Sequence, residues 1–99
     1  MKVVIKLKET FGSFLFDGNE GNRFRFCEIE PKIALNQIVI LDFEGVENMT
    51  DSFANACFGN LFHSLDFNLE GKVEFRNCSP LVQDFILSAM NIALMRVHR

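Results

Sequence analysis

Two histidines, three cysteines and a group of carboxylates are the residues of this 99-residue chain whose types invite chemistry. General acid–base work needs a histidine with a carboxylate or thiol spaced to orient it. His63 and His98 stand far apart without such a neighbour, and His63 reads as a surface residue of a helix. Cys57 falls one turn into a helical pattern, on its apolar side. A helix N-terminus lowers a thiol pKa, but burial raises it, and no histidine is placed to activate this one. Cys27, Cys57 and Cys78 are odd in number, widely spaced and free of any C-x-x-C, so they form neither a disulfide framework nor a zinc site. Asp42, Glu44, Glu47 and Asp51 gather where an apolar run ends, without the spacing of a calcium loop, and read as a solvated acidic loop. Gly18-Asn19-Glu20-Gly21 lacks the lysine of a phosphate loop and reads as a turn. The expectation is a chain with no catalytic residue, no metal and no cofactor.

What remains is a set of hydroxyls and amides suited to contact. Thr50-Asp51-Ser52 supplies three helix N-cap residue types in a row. Asn48 precedes them, and Asn55 and Asn60 follow inside a helical pattern that asparagine does not favour. Asn48, Thr50, Asp51, Ser52, Asn55 and Asn60 are therefore the candidate partner-binding residues. An N-cap role for Ser52 would be worth about 1 kcal/mol.

These residues must be held by something. Residues 2–8 alternate lysine with apolar residues, the period of a half-buried strand, and the lysines suit a sheet edge. Residues 11–16 offer a second short strand, and Asp17-Gly18-Asn19 a turn. Residues 20–36 admit two readings. Phe24 and Phe26 alternate with Arg23 and Arg25 as in a hairpin, whereas Phe26, Ile29 and Ile33 share one helical face. The helix is the expectation, with Pro31 either kinking it or opening its second half. Residues 38–43 form a β-branched run, as in a central strand covered on both faces. Phe53, Cys57, Leu61 and Leu65 then mark a helix over 53–65, broadened by Phe58 and Phe62. Val73–Phe75 alternates as a further strand. Ser79-Pro80 opens a last helix over 80–97, serine as cap and proline at the first position. The order predicts one α/β domain over 1–99, a mixed sheet of about four strands with about three helices.

Composition narrows the function classes. Net charge is −3 with scattered cations, which argues against nucleic acid as a partner. No run approaches the roughly 20 apolar residues of a membrane span, and the apolar start is too short for a signal peptide. The expected location is the cytoplasm. Twelve phenylalanines without tryptophan or tyrosine predict rings that mostly serve as core packing.

The segment Val39-Ile40-Leu41-Asp42-Phe43-Glu44-Gly45-Val46, a short loop, then Ser52-Phe53-Ala54-Asn55 resembles the STAS-like domain family of unknown function. It is also similar to the STAS domains of bacterial anti-sigma-factor antagonists, and Gly59-Asn60-Leu61 and Val73–Asn77 extend the likeness. The resemblance implies a regulatory module that binds a histidine-kinase-like ATPase or anti-sigma kinase. It places Ser52 on the serine phosphorylated in such antagonists, with Thr50 as the neighbouring candidate. Here Asp51 stands where a small hydroxyl residue is usual, and Phe53 where glycine follows the target serine. Phosphorylation would end partner binding. The alternatives are a constitutive assembly domain, monomeric or homodimeric, and a small-molecule site at the end of the central strand.

Overall fold

The computed structural model describes residues 1–97; His98 lies outside the described residues. Among the described residues five strands and four helices follow one another. Strand β1 (Lys2–Lys6) leads into α1 (Leu7–Phe11), then β2 (Phe14–Leu15). Helix α2 runs through Gly18–Phe24, a π-helical turn Arg25–Ile29, and Glu30–Ala34. After β3 (Ile38–Asp42) and β4 (Asn48–Met49), helix α3 repeats that construction: Asp51–Ala54, a π-helical Asn55–Gly59, and Asn60–Ser64. Strand β5 (Val73–Arg76) and α4 (Pro80–Val97) complete the order.

The expected mixed sheet is replaced by two wholly parallel ones, β1-β3-β5 and β2-β4. The short strand expected within residues 11–16 is β2, reduced to two residues, whereas β4, also two residues long, has no alternation to announce it. The first strand also stops earlier than the lysine alternation implies. Leu7 turns fully inward and starts α1, which ends at Gly12 (φ 78°), whose N–H bonds the Lys8 carbonyl at 2.8 Å. Asp17 is not part of a turn but the N-cap of α2, accepting from the Asn19 N–H at 2.8 Å.

The crossovers from β1 to β3 to β5 run in one direction, and with the right-handed sense that parallel connections take, they place their helices on one face of the sheet. On that face Val39, Leu41 and Val73 join the core. Ile40 points the other way and lies outside that core, yet is only 2% exposed. Its cross-strand neighbours there are Val4 and Glu74, and the Lys2–Glu74 ion pair at 3.4 Å joins the two outer strands across β3. The central strand is thus buried on both faces, as its β-branched run implied, with the main core on one of them.

The π turns explain a second correction. In α2 the Glu30 N–H reaches back to the Arg25 carbonyl, and in α3 the Asn60 N–H reaches the Asn55 carbonyl, each an i→i+5 bond that holds one residue more than an α turn. Phe26 therefore leaves the face of Ile29 and Ile33 and stands 66% exposed, while Ile29 is buried. Pro31 follows the turn directly, where a residue without an N–H can open a new α segment. In α3 the same extra residue brings the i+4 series Phe53, Cys57 and Leu61 onto one fully buried stripe.

Both helices stop in Schellman motifs. Asn36 (φ 64°) and Asp66 (φ 53°) take the left-handed position, and Phe67 packs edge-on against Phe62 at 5.0 Å, the apolar contact such an end favours. Ser79 caps α4 as its sequence implies, accepting from the Val82 N–H at 3.2 Å. The core is a chain of rings: Phe24, Phe11, Phe53, Phe58, then Phe43 and Phe75, with neighbouring centroids 5.1 to 6.2 Å apart.

Candidate functional site

The small β2-β4 sheet decides where the candidate residues sit. Loop 43–47 turns through Gly45 (φ 81°), closed by Val46 N–H to the Phe43 carbonyl at 2.9 Å. The Glu47 N–H then donates to Ser13, and the Thr50 N–H to Leu15, at 2.8 and 2.9 Å. This stitching lays Asn48 beside Phe14 and Met49 beside Leu15. The next residues of both strands begin helices, so the N-termini of α2 and α3 lie side by side.

Thr50, not Ser52, caps α3. Its Oγ1 accepts from the Phe53 N–H at 3.1 Å and donates to the Phe16 carbonyl at 2.7 Å, which occupies the hydroxyl in structural work. Ser52 follows inside the first turn, exposed, and its Oγ makes no hydrogen bond among the described residues. That oxygen lies against Gly18 so closely that a Cβ there would collide with it. Gly21 extends the close approach, since its Cβ would stand 3.2 Å from Phe53. The two glycines let α2 and α3 touch along their first turns.

Asn48 and Asp51 are exposed on this rim and Asn55 is half-buried one turn on. Asn60 is not gathered with them. It lies eight residues beyond Ser52, about 12 Å along the helix, and its amide donates to the Ala56 carbonyl at 3.2 Å. The structure adds two residues the sequence reading assigned to the core. Phe14 (45% exposed) and Phe16 (59%) pack ring to ring at 5.5 Å on the outer side of this rim. Their only sequence signal is Ser13 to Asp17, where phenylalanine alternates with a buried Leu15.

Between α2 and α3, behind the rim, Arg25 ties the two π turns together. Its Nε donates to the Ala56 carbonyl at 3.2 Å and its guanidinium to Glu30 at 2.6 Å and to Asn22. Glu30 also accepts from the Ser64 hydroxyl at 3.0 Å. The Ala56 carbonyl is the one the Asn60 N–H passes over in making its i→i+5 bond, so Arg25 satisfies a group that the π turn frees.

The acidic loop does not converge. Among the described residues no three histidine, cysteine or acidic side chains stand close enough to hold a metal ion. Asp42 turns inward instead and accepts at one oxygen from the Asn77 amide and the Glu44 N–H, both at 2.9 Å. These bonds, Asn77's first, hold its carboxyl below the ordinary carboxylate range, with Lys6 and Arg76 assisting and burial opposing. A depressed folded pKa contributes stability above the unfolded value of about 3.9 and loses it as pH falls through the folded one. Asn77 sits at φ 60°, a backbone glycine accepts. Asn77→Gly is therefore expected to move the acid-unfolding midpoint to higher pH, read by circular dichroism; an unmoved midpoint would break the link between this bond and acid stability.

Cys57 is fully buried, and burial pushes its thiol pKa far up, which leaves it a packing residue. His63 is exposed on α3 with its ring edge-on to Phe67 at 5.5 Å. No helix among the described residues is long and apolar enough to cross a membrane.

Residues 20–83 match the family model described as a STAS-like domain of unknown function (DUF4325). The chain belongs to the STAS-like domain family. The match runs from the first turn of α2 through β3, α3 and β5 to the first turn of α4, so the family region includes Ser52 and the Arg25 network. Phe14 and Phe16 precede the matched part of this STAS-like domain. Neither a curated protein nor a solved structure matches the chain.

Proposed function

We propose that this STAS-like domain is a regulatory protein-interaction module without chemistry of its own, resembling an anti-sigma-factor antagonist. Its partner surface is the rim of Phe14, Phe16, Asn48, Asp51, Ser52 and Asn55, and Ser52 is its switch. The observation that carries this reading is a division of labour between two hydroxyls. Thr50 is consumed by the cap and the Phe16 carbonyl, whereas Ser52, two residues on, is exposed and uncommitted, its Oγ lying against Gly18. Two exposed rings in contact fit an apolar partner face, and aromatic anchors of this kind dominate interface energies. The partner is proposed to be a histidine-kinase-like ATPase or anti-sigma kinase, as the resemblance implies.

A phosphate on Ser52 adds about −1.5 to −2 charges. In a bound complex that charge would be taken out of water within the proposed partner surface, at heavy desolvation cost. It would also have no room on the Gly18 side and would face Asp51 as its sequence neighbour. Modification therefore favours the free protein. A constitutive assembly role is the second reading, supported by Leu81, Leu87, Leu94 and Met95 exposed on α4.

The test is affinity capture from native cells with wild type, Ser52→Ala and Ser52→Asp as baits, scored by mass spectrometry. The expected result is an ATP-binding partner on wild type and Ser52→Ala that is absent from Ser52→Asp. Identical partners on all three baits would remove the switch and leave constitutive assembly.

A further inference from the structure

A second surface lies at the opposite side of the sheet. Strand β5 is an edge strand, paired to β3 alone. The Val39 N–H donates to the Lys72 carbonyl and the Phe43 N–H to the Arg76 carbonyl, both at 2.9 Å, so the even-numbered residues of β5 turn their backbone toward β3. Val73 and Phe75 therefore turn theirs outward. The Val73 N–H is taken by the Leu69 carbonyl at 3.0 Å, but the N–H and C=O of Phe75 find no backbone partner among the described residues.

Beside this edge runs a groove of about 590 Å³ between β5 and α4, lined on its apolar part by Leu69, Phe75, Ile86, Leu87 and Met90. Leu87 is 57% exposed although it belongs to the wall of the groove. Unused strand hydrogen bonds on one side and an apolar trough under a helix on the other are what an added strand requires. Side chains alternating along such a strand would point into the groove at every second residue and to the open sheet face at the others. On that open face β5 presents Glu74 and Arg76, both partly exposed and 4.0 Å from each other, with Glu74 also 3.4 Å from Lys2 of β1. The other edge, β1, carries Lys2 and Lys6, the usual protection of an edge against pairing.

We propose that the β5–α4 groove takes an extended segment of a partner protein, added as a fourth strand beside β5. The segment is apolar at alternate positions, with a cation opposite Glu74 and an anion opposite Arg76, since opposite charges across strands stabilise the pairing. This surface is separate from Ser52 and does not depend on the switch.

The test titrates a blocked hexapeptide, alternating valine with threonine, lysine and glutamate, into the ¹⁵N-labelled protein. Saturable shifts at the amides of Val73, Phe75, Leu87 and Met90 are expected, with slowed exchange of the Phe75 N–H. A peptide of the same composition with its valines in one block should not reproduce them. Leu87→Glu and Glu74→Lys, both at partly exposed positions, should each weaken binding at least tenfold while the circular dichroism stays that of wild type. Absence of shifts up to about 1 mM peptide, the weak end of specific binding, would overturn the proposal. So would shifts elsewhere, shifts unaltered by both variants, or concentration-dependent pairing of β5 with a second copy.

Discussion

Phe58→Ala is expected to remove about 4 kcal/mol of stability, the middle of the usual range for truncating a buried aromatic. Phe58 is fully buried and its ring meets three others: Phe43 at 5.6 Å, Phe53 at 6.0 Å and Phe75 at 6.0 Å. Truncation therefore forfeits ring–ring geometry as well as transfer energy, and each such pair adds about 0.5–1.5 kcal/mol beyond its area. The rings belong to the loop residue directly after β3, to α3 and to β5, so they cannot close on the cavity without moving the elements that carry Ser52. A domain of this size has about 5–15 kcal/mol in all. A melting temperature lower by about 16–32 °C is the corresponding readout, at about 4–8 °C per kcal/mol. A drop of only a few degrees would show that the ring chain repacks.

Arg25→Met is expected to be the next most damaging single change, by about 2–3 kcal/mol. Methionine keeps much of the apolar stem and removes the donors, leaving the Ala56 carbonyl with the Asn60 amide as its remaining donor and Glu30 without its cation. Removing one partner of a buried ion pair costs about 3–5 kcal/mol, and this pair is discounted because its side chains keep 14% and 25% of their exposure. Lysine should not rescue, since one ammonium cannot serve Asn22, Glu30 and Ala56 from three nitrogens of a planar fork. Adding Glu30→Leu to Arg25→Met should restore part of the loss by removing the stranded carboxylate, although Ser64 then loses an acceptor. Chemical denaturation of both variants checks this, and equal destabilisation of the single and double variants would locate the cost in the Ala56 carbonyl.

The residues carried some of this fold openly and concealed the rest. The β-branched run of β3 and the Ser79-Pro80 start of α4 are local signals with local causes, and both elements lie where they predict. The Phe53, Cys57, Leu61 spacing of four also names the buried stripe of α3, while the π turn that makes that spacing fit leaves no composition signature. The same kind of turn in α2 carried Phe26 out to solvent, because a face counted at 3.6 residues per turn loses its phase where a turn holds one residue more.

Strand β4, and its pairing with β2, were illegible for another reason. Two residues have no period, and their pairing is decided by the Glu47, Asn48 and Thr50 amides reaching Ser13 and Leu15 across more than thirty residues of chain. The site inherits that difficulty. Its α3 half (Thr50, Asp51, Ser52) was readable from helix-start chemistry, although the cap proved to be Thr50. Its β2 half was not, since an apolar side chain's exposure depends on the long-range neighbours that cover it. Nothing in the type of Phe14 or Phe16 distinguishes them from Phe24 or Phe58.

The proposed switch rests most directly on the charge state of Ser52. The decisive measurement is the calorimetric dissociation constant of the proposed ATP-binding partner for this domain, unmodified and stoichiometrically phosphorylated, with the phosphate mapped by mass spectrometry. The switch predicts phosphate on Ser52 rather than Thr50, and a weakening of at least about 100-fold, which corresponds to about 2.8 kcal/mol. Phosphate on Thr50, or equal affinity of the two forms with Ser52 modified, would contradict it.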